Sequence, residues 1–366
     1  MIQSINRSNI FDLIYRQGDL TRQDIVSALQ LCLPTVSQNI TQLISEGLVH
    51  ESGSIGNTGG RRAKTFSVVP EARVAIGLDI TRDAVTTVAV DIRGQIFYCA
   101  RAERPFSYTD DYFRFLGDRV ELAITDSGLD RERLLGVGIG LPALVSADNQ
   151  TVTYGEILQI TGATCADFSR WIPYPTALYN DANAACFAET WVRKDLSTLF
   201  YIMLSNNVGG AFILDGRVYA GGLYRSSEVG HIRLHPHGTR CYCGQAGCVD
   251  AYCAVTVLSA RTGGDLARFF QQLARGDAAL QRVWDAYLDE LSLTIVNVHA
   301  LFDCAIVLGG YVGAYLEPYM PDLRSRVAAL GSFSHTADFL TVCSYRTEAI
   351  AAGAALNFVG AFLSTI

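Results

Sequence analysis

Glu228-Val-Gly-His231 is followed, ten residues after the histidine, by Cys241-Tyr-Cys243-Gly-Gln-Ala-Gly-Cys248-Val-Asp250. Three thiols and one imidazole in so short a stretch make a Cys3His set, the ligand chemistry of a structural zinc site. Gly244 and Gly247 let the chain turn tightly around an ion. The completing histidine and the close cysteine spacing favour zinc over an iron–sulfur cluster. The simpler alternative is a group of ordinary buried cysteines. Cys253 is read that way, because its spacing suits the same shell poorly. The expectation is a Zn2+ ion held by His231, Cys241, Cys243 and Cys248.

On either side of this loop, short apolar runs alternate with helical periodicity. Val74–Ile80 and Val85–Asp91 read as adjacent strands, with a turn at Arg93-Gly94. Asp111–Ser127 reads as a helix, and Leu135–Gly140 as a buried strand leading into Leu141-Pro142. Tyr174–Tyr179 is a further strand and runs into Asn180-Asp181-Ala-Asn183, which opens a helix through Val192. The second half repeats the theme with strands at Thr198–Leu204, Gly210–Leu214 and Arg217–Tyr219. Helices follow from about Val255, and Cys304–Leu308 is a buried strand ending in Gly309-Gly310. Two similar halves of alternating strands and helices predict an α/β body of two lobes, residues 71–190 and 191–366, with a ligand cleft between them.

Residues 1–70 have a different texture. Ile10, Leu13 and Ile14 recur at helical spacing, and Gly18-Asp19 ends that helix. Thr21 and Asp24 form a capping-box pair at the start of a second helix running to about Leu29. Pro34 sits in the first turn of a third helix, where its missing N–H costs nothing. There Val36, Ile40, Leu43 and Ile44 share one face, and Thr35, Ser37, Gln38, Asn39, Thr41 and Gln42 point elsewhere. Gly47 stops it, and two strands, Leu48–Glu51 and Lys64–Val69, flank a tip of Gly56–Gly60 with Arg61 and Arg62. This is the pattern of a winged helix-turn-helix. Amide and hydroxyl side chains at Thr35, Ser37, Gln38, Asn39 and Thr41 suit base edges in the major groove of double-stranded DNA. Arg61 and Arg62 suit phosphates or the minor groove. A protein-interaction module of three helices and a hairpin is the alternative, but it leaves the arginine-tipped wing without a purpose.

The 366 residues carry a net charge of −7, which at first argues against nucleic acid. The charge is uneven, however. Residues 1–70 hold six Lys/Arg and five Asp/Glu, a net of +1, so the remainder carries −8. An acidic body repels DNA, and so weakly basic a module depends on a homodimer or homotetramer and on specific contacts for its affinity. With 49% hydrophobic residues the chain can bury large cores, yet it has no run of 18 apolar residues and no apolar leader after Met1. A cytoplasmic protein without membrane contact is expected, its ten cysteines reduced.

Taken together, these motifs resemble the ROK family of bacterial sugar kinases and sugar-responsive repressors. The residues that carry the resemblance are Glu228-Val-Gly-His231, the Cys241/Cys243/Cys248 loop, Val249-Asp250, Asn180-Asp181-Ala-Asn183 and Leu308-Gly309-Gly310. It spans roughly residues 74–360, and the winged helix in front is similar to the repressor branch that governs N-acetylglucosamine, glucose and xylose genes. The resemblance implies an actin/hexokinase-like sugar-kinase fold. It implies that His231 binds zinc through one ring nitrogen and offers the other to a sugar hydroxyl. It implies that Asn180, Asp181, Glu228 and Asp250 hydrogen-bond the sugar, although Asp250 stands where the family usually has the longer Glu. Asn180 has a second reading as a helix cap alone. In a kinase Asp181 would be the general base; in a regulator it would only bind.

The phosphate loops separate these two. The family's kinases begin with a strand followed by Asp-x-Gly-Gly-Thr, whose glycines let backbone N–H groups approach phosphate. The matching segment here is Asp79-Ile-Thr-Arg-Asp83, without either glycine and with an added carboxylate. The second loop reads Ser205-Asn-Asn-Val-Gly-Gly210 and lacks the usual threonine. A non-enzymatic regulator is therefore expected, released from its operator by a sugar or sugar phosphate. An active kinase with a fused DNA-binding domain and a regulator sensing a protein partner are the alternatives.

Overall fold

The computed structural model describes residues 2–55, 62–331 and 335–366. The N-terminal module contains α1 (Ile2–Gln17), β1 (Leu20–Thr21), α2 (Arg22–Leu29), α3 (Leu33–Ser45), β2 (Val49–Ile55) and β3 (Ala63–Val68). The three strands form an antiparallel sheet in the order β1-β3-β2. The capping box is formed: Thr21 Oγ1 accepts the Asp24 N–H at 3.2 Å, and the Thr21 N–H donates to Asp24 Oδ2 at 2.8 Å. Pro34 occupies the first turn of α3. This is the predicted winged helix-turn-helix. The wing tip Gly56–Gly60 and Arg61 lie outside the described residues.

The first lobe contributes β4 (Val74–Ile80), β5 (Ala84–Asp91), β6 (Ile96–Glu103), α4 (Asp110–Ser127), β7 (Leu134–Leu141), β8 (Leu144–Val145), β9 (Val152–Tyr154), α5 (Cys165–Phe168) and β10 (Thr176–Asn180). Next come α6 (Asp181–Val192), β11 (Leu199–Leu204), β12 (Val208–Leu214) and β13 (Arg217–Val218). The chain continues with α7 (Asp250–Cys253), α8 (Val255–Ser259), α9 (Leu266–Ala274), α10 (Ala278–Phe302) and β14 (Ala305–Gly309). It ends with α11 (Gly310–Gly313), α12 (Met320–Leu330), β15 (Leu340–Val342) and α13 (Ala349–Leu363).

The two five-stranded sheets follow one plan. Their orders are β6-β5-β4-β7-β10 and β13-β12-β11-β14-β15. In each, the first three strands form an antiparallel meander, and the fourth and fifth add parallel to the first. Every residue of β4 and β5 is buried, the signature of strands covered on both faces. The edge strand β6 instead alternates half-buried and exposed positions.

The lobes do not divide cleanly at residue 190. α13 returns from the second lobe and packs on β4, β5 and β7 of the first, while α6 packs between α13 and strands β11 and β12 of the second. The reason is chemical: α13 is rich in alanine, and Ala351, Ala352, Ala355, Leu356 and Val359 share one core with Ala75, Val88 and Val90. The two helices approach so closely that a Cβ on Gly353 would lie 1.7 Å from the Ala184 carbonyl oxygen.

The winged helix is docked on this frame. The Tyr15 hydroxyl of α1 donates to the Ile92 carbonyl at 2.8 Å, and Ile10, Phe11 and Ile14 extend the same core. Among the described residues, no helix is long and apolar enough to cross a membrane. Gly353→Ala is expected to destabilise the protein by about 1–3 kcal/mol, because the clashing atom is backbone and cannot rotate away. Urea unfolding would measure it, and a variant as stable as the parent would contradict the close helix contact.

Candidate functional site

Asn180 and Asp181 stand where β10 ends and α6 begins. Asn180 is the helix cap: its side-chain oxygen accepts the Asn183 N–H at 3.0 Å, and its amide donates to Ala143 O and Asp181 Oδ1, both at 3.1 Å. Asp181 Oδ1 also accepts the Ala182 N–H at 2.8 Å. The turn thus fixes the Asp181 carboxylate at the rim of the interlobe cleft. Glu228 and His231 come from the opposite lobe, on a one-turn 3-10 helix at Val229–His231, where the His231 N–H donates to Glu228 O at 3.0 Å.

These four side chains line one cavity of about 340 Å³. Tyr154, Glu156, Ile157, Asn207, Arg225 and Tyr242 complete its wall. None of these six was singled out from the sequence. Tyr154, Glu156 and Ile157 lie where β9 ends and a stretch without readable periodicity leads toward α5. Asp250 departs from its expected place. Its Oδ1 accepts the Val208 N–H at 2.6 Å, and it lines a neighbouring cavity of about 750 Å³ instead. Its short side chain holds the turn between β11 and β12.

The larger cavity carries Asp79, Thr81, Arg82, Asp83, Ser205, Asn206 and Asn207, and it shares Asp181 with the smaller one. Burial, and then the Glu228 carboxylate, push Asp181 up to about 7. Burial, and then Asp181, push Asp79 up to about 7 as well. Burial also raises Glu228, against the pull of His231. Three such carboxyls are well matched to hydroxyl groups, accepting hydrogen bonds when ionised and donating when protonated.

The thiols converge as the spacing predicts. One ligand atom from each of His231, Cys241, Cys243 and Cys248 lies within 4.8 Å of the others. Cys243 Sγ and Cys248 Sγ are 3.8 Å apart, and Cys241 Sγ is 3.9 Å from His231 Nδ1. Tetrahedral zinc–thiolate bonds require an edge of about 3.8 Å, which the Cys243–Cys248 pair already matches. Burial pushes the Cys241 thiol up to about 12 and raises Cys248. Cys253 is fully buried in the second-lobe core, apart from this set.

On α3, Gln38 and Thr41 are exposed, and Thr35 and Ser37 are half-buried. Asn39 is not available. It is 2% exposed, and its amide donates back to Thr35 O at 2.8 Å. Val36, Asn39, Ile40 and Leu43 form the buried face, and Ile44 is left 39% exposed. The i, i+3, i+4, i+7 pattern beginning at Val36 includes Asn39 and omits Ile44, so the sequence held the signal. Arg62 is exposed at the base of the wing.

Comparison with known proteins agrees with this geometry. The model of the ROK family matches residues 75–359. A xylose repressor of Caldicellulosiruptor bescii is 24% identical over 262 residues, 70% of this chain and 66% of the repressor, just under two thirds of its length. A ROK family transcriptional regulator described as a homologue of the E. coli MLC protein superposes with a TM-score of 0.76 at 21% identity, covering 100% of this chain and 97% of that one. A ROK family glucokinase from Streptomyces griseus, solved with glucose and AMPPNP, gives a TM-score of 0.64 at 22% identity over 78% of this chain and 98% of that one.

Purified protein is expected to hold one zinc per chain by elemental analysis. Cys243→Ser, or prolonged chelation, should lower that content and the melting temperature together. Full zinc content in the Cys243→Ser variant would remove Cys243 from the ligand set.

Proposed function

The chain belongs to the ROK family, and on that premise we propose that it is a sugar-responsive DNA-binding regulator. In this reading it is a cytoplasmic repressor of carbohydrate uptake or catabolism genes. A sugar or sugar phosphate releases it from its operator. The observation that carries the reading is the pairing within one chain of a hydroxyl-matched cavity at Asp181, Glu228 and His231 with a winged helix docked on the same frame. Gln38, Thr41, Thr35 and Ser37 face base edges, and Arg62 with Arg61 meets the backbone. The net charge of +1 on residues 1–70 makes a homodimer or homotetramer part of the reading.

Zinc chemistry at His231 and the three cysteines is structural in this account. His231, Cys241, Cys243 and Cys248 would hold the ion, which would supply a fixed anchor for the loop that carries His231 and compensate thiolate charge.

Catalysis is disfavoured by the loop between β4 and β5. Its backbone is already engaged: the Thr81 N–H donates to Ala84 O at 3.0 Å, and the Ala84 N–H to Thr81 Oγ1 at 3.1 Å. Those groups are not free to cradle a phosphate, and Asp83 beside them adds repulsion. Asp181 is then a binding group rather than a base.

Helix α6 joins the two ends of the mechanism. Its first turn borders the sugar cavity through Asp181 and Ala182. Glu189 in its last turns is fully buried and accepts the Ser344 N–H at 2.7 Å, tying α6 to the segment between β15 and α13. Trp191 packs on Gly94, and just past the helix the Lys194 ammonium lies 4.8 Å from the centroid of the Tyr15 ring. A shift at one end of a rigid 12-residue helix, about 18 Å long, is delivered to α1 at the other. Lobe closure on sugar thereby moves the paired winged helices and weakens operator binding.

Calorimetry of the zinc-loaded chain against D-xylose, D-glucose, N-acetyl-D-glucosamine and their phosphates tests the reading. At least one should bind, about tenfold more weakly to Asp181→Asn, with no ADP released from ATP. Sustained ADP release abolished by Asp181→Asn would replace the regulator with a kinase. Lys194→Met should leave sugar and operator affinities each within about twofold while reducing the effect of one on the other. Unchanged coupling in that variant would rule out the α6 route.

A further inference from the structure

Tyr242 sits between two of the three thiols, and nothing in the zinc set requires an aromatic residue there. It is 54% exposed, yet its hydroxyl lies 3.2 Å from His231 Nε2 and the two rings meet edge-on at 5.4 Å. Its side chain lines both the sugar-type cavity and the larger cavity beside it. Tyr242 therefore stands on the boundary between the two, on the nitrogen of His231 that the sugar was expected to meet.

The direction of this hydrogen bond follows from the other side of the ring. Cys241 Sγ lies 3.9 Å from His231 Nδ1, so a cation held by the cysteines takes Nδ1. A neutral imidazole with Nδ1 bound to a metal carries its proton on Nε2. That N–H donates to the Tyr242 hydroxyl oxygen, and the phenolic proton remains to be donated elsewhere. With a metal on Nδ1, the Tyr242 hydroxyl beside His231 would thereby become an outward donor of fixed polarity.

On the sugar reading above, we propose that Tyr242 is a specificity-determining residue of the effector site. It meets the sugar in place of His231 Nε2 and donates a hydrogen bond to one oxygen of the ligand. Zinc then bears on recognition as well as on folding, because it sets which way the His231–Tyr242 bond runs. The site prefers a sugar that presents an acceptor oxygen at this wall. It discriminates against the same sugar lacking that oxygen, since the phenolic proton then faces carbon instead of an acceptor. The rival arrangement has Tyr242 as a plug that the sugar must push off His231 before binding.

The two arrangements predict opposite effects of Tyr242→Phe, which deletes the hydroxyl and keeps the ring. The test is calorimetry of the full zinc-loaded chain, wild type and Tyr242→Phe. The probes are the tightest-binding monosaccharide of D-xylose, D-glucose and N-acetyl-D-glucosamine, and its monodeoxy derivatives. Zinc content and sugar-free operator binding of the variant should equal those of the wild type, which separates this role from a structural one. The variant should bind the parent sugar three- to tenfold more weakly, on the order of one neutral hydrogen bond. It should also become indifferent to one deoxy position that costs the wild type a similar factor. Equal or tighter binding by Tyr242→Phe would overturn the proposal, the tighter result identifying a plug. Loss of zinc in the variant would also overturn it, by making Tyr242 structural. If none of the three sugars binds the wild type, the sugar reading itself fails and takes this inference with it.

Discussion

Backbone-to-backbone contact through three layers sets the geometry of this molecule. α13 lies on the first sheet where Gly77 and Gly138 leave no side chain; a Cβ on either would come within 1.8 and 2.1 Å of the Ala351 and Ala354 carbonyl oxygens. On its other side Gly353 admits Ala184 of α6. Packing of this kind has little tolerance, because no rotamer can absorb a displacement. It ties α6 to both lobes at once. Since α6 begins at Asn180-Asp181 and ends beside Tyr15, the sugar-type cavity and the DNA-binding module share one rigid part.

The chemistry of the cleft is governed by three carboxyls, Asp79 buried, Asp181 half-buried and Glu228 exposed. Loss of solvent raises all three, and repulsion links Glu228 to Asp181 and Asp181 to Asp79. Nucleotide phosphates would add like charge beside Asp83, at a turn where the Thr81 and Ala84 N–H groups are already engaged. Hydroxyl groups donate to carboxylates without that cost. On the proposed reading, a frame shared with sugar kinases would keep the sugar side of the cleft and lose the phosphate side. The Cys3His set, with an ion bound, would fix the loop on which His231 and Tyr242 stand.

Much of this was legible in the sequence, for identifiable reasons. The buried strands β4, β5, β7 and β14 are continuous apolar runs, and the Thr21–Asp24 box and Pro34 mark two helix starts. The Cys3His spacing is local, so its convergence needed no long-range knowledge. Edge strand β6 was missed because its alternation of half-buried Ile, Tyr and Ala with exposed Phe and charged residues gives a weak signal. β8, β9 and β15 are two or three residues long and fall below any periodicity. The return of α13 to the first lobe depends on contacts between residues far apart in the chain. Asn39 was misjudged by residue type: an amide suggests base reading, but its helical position places it inward. Asp250 was misjudged by analogy, since one methylene less leaves its carboxylate on the Val208 N–H.

The central claim is that one body carries both a sugar site and an operator site and couples them. Linkage makes this claim quantitative, because two sites that bias one equilibrium must affect each other equally. The direct measurement is fluorescence anisotropy of operator DNA at zero and saturating sugar, paired with calorimetry of the same sugar at zero and saturating operator. The account predicts that sugar weakens DNA binding and that DNA weakens sugar binding by the same factor. Sugar and operator affinities that are independent of each other would contradict it.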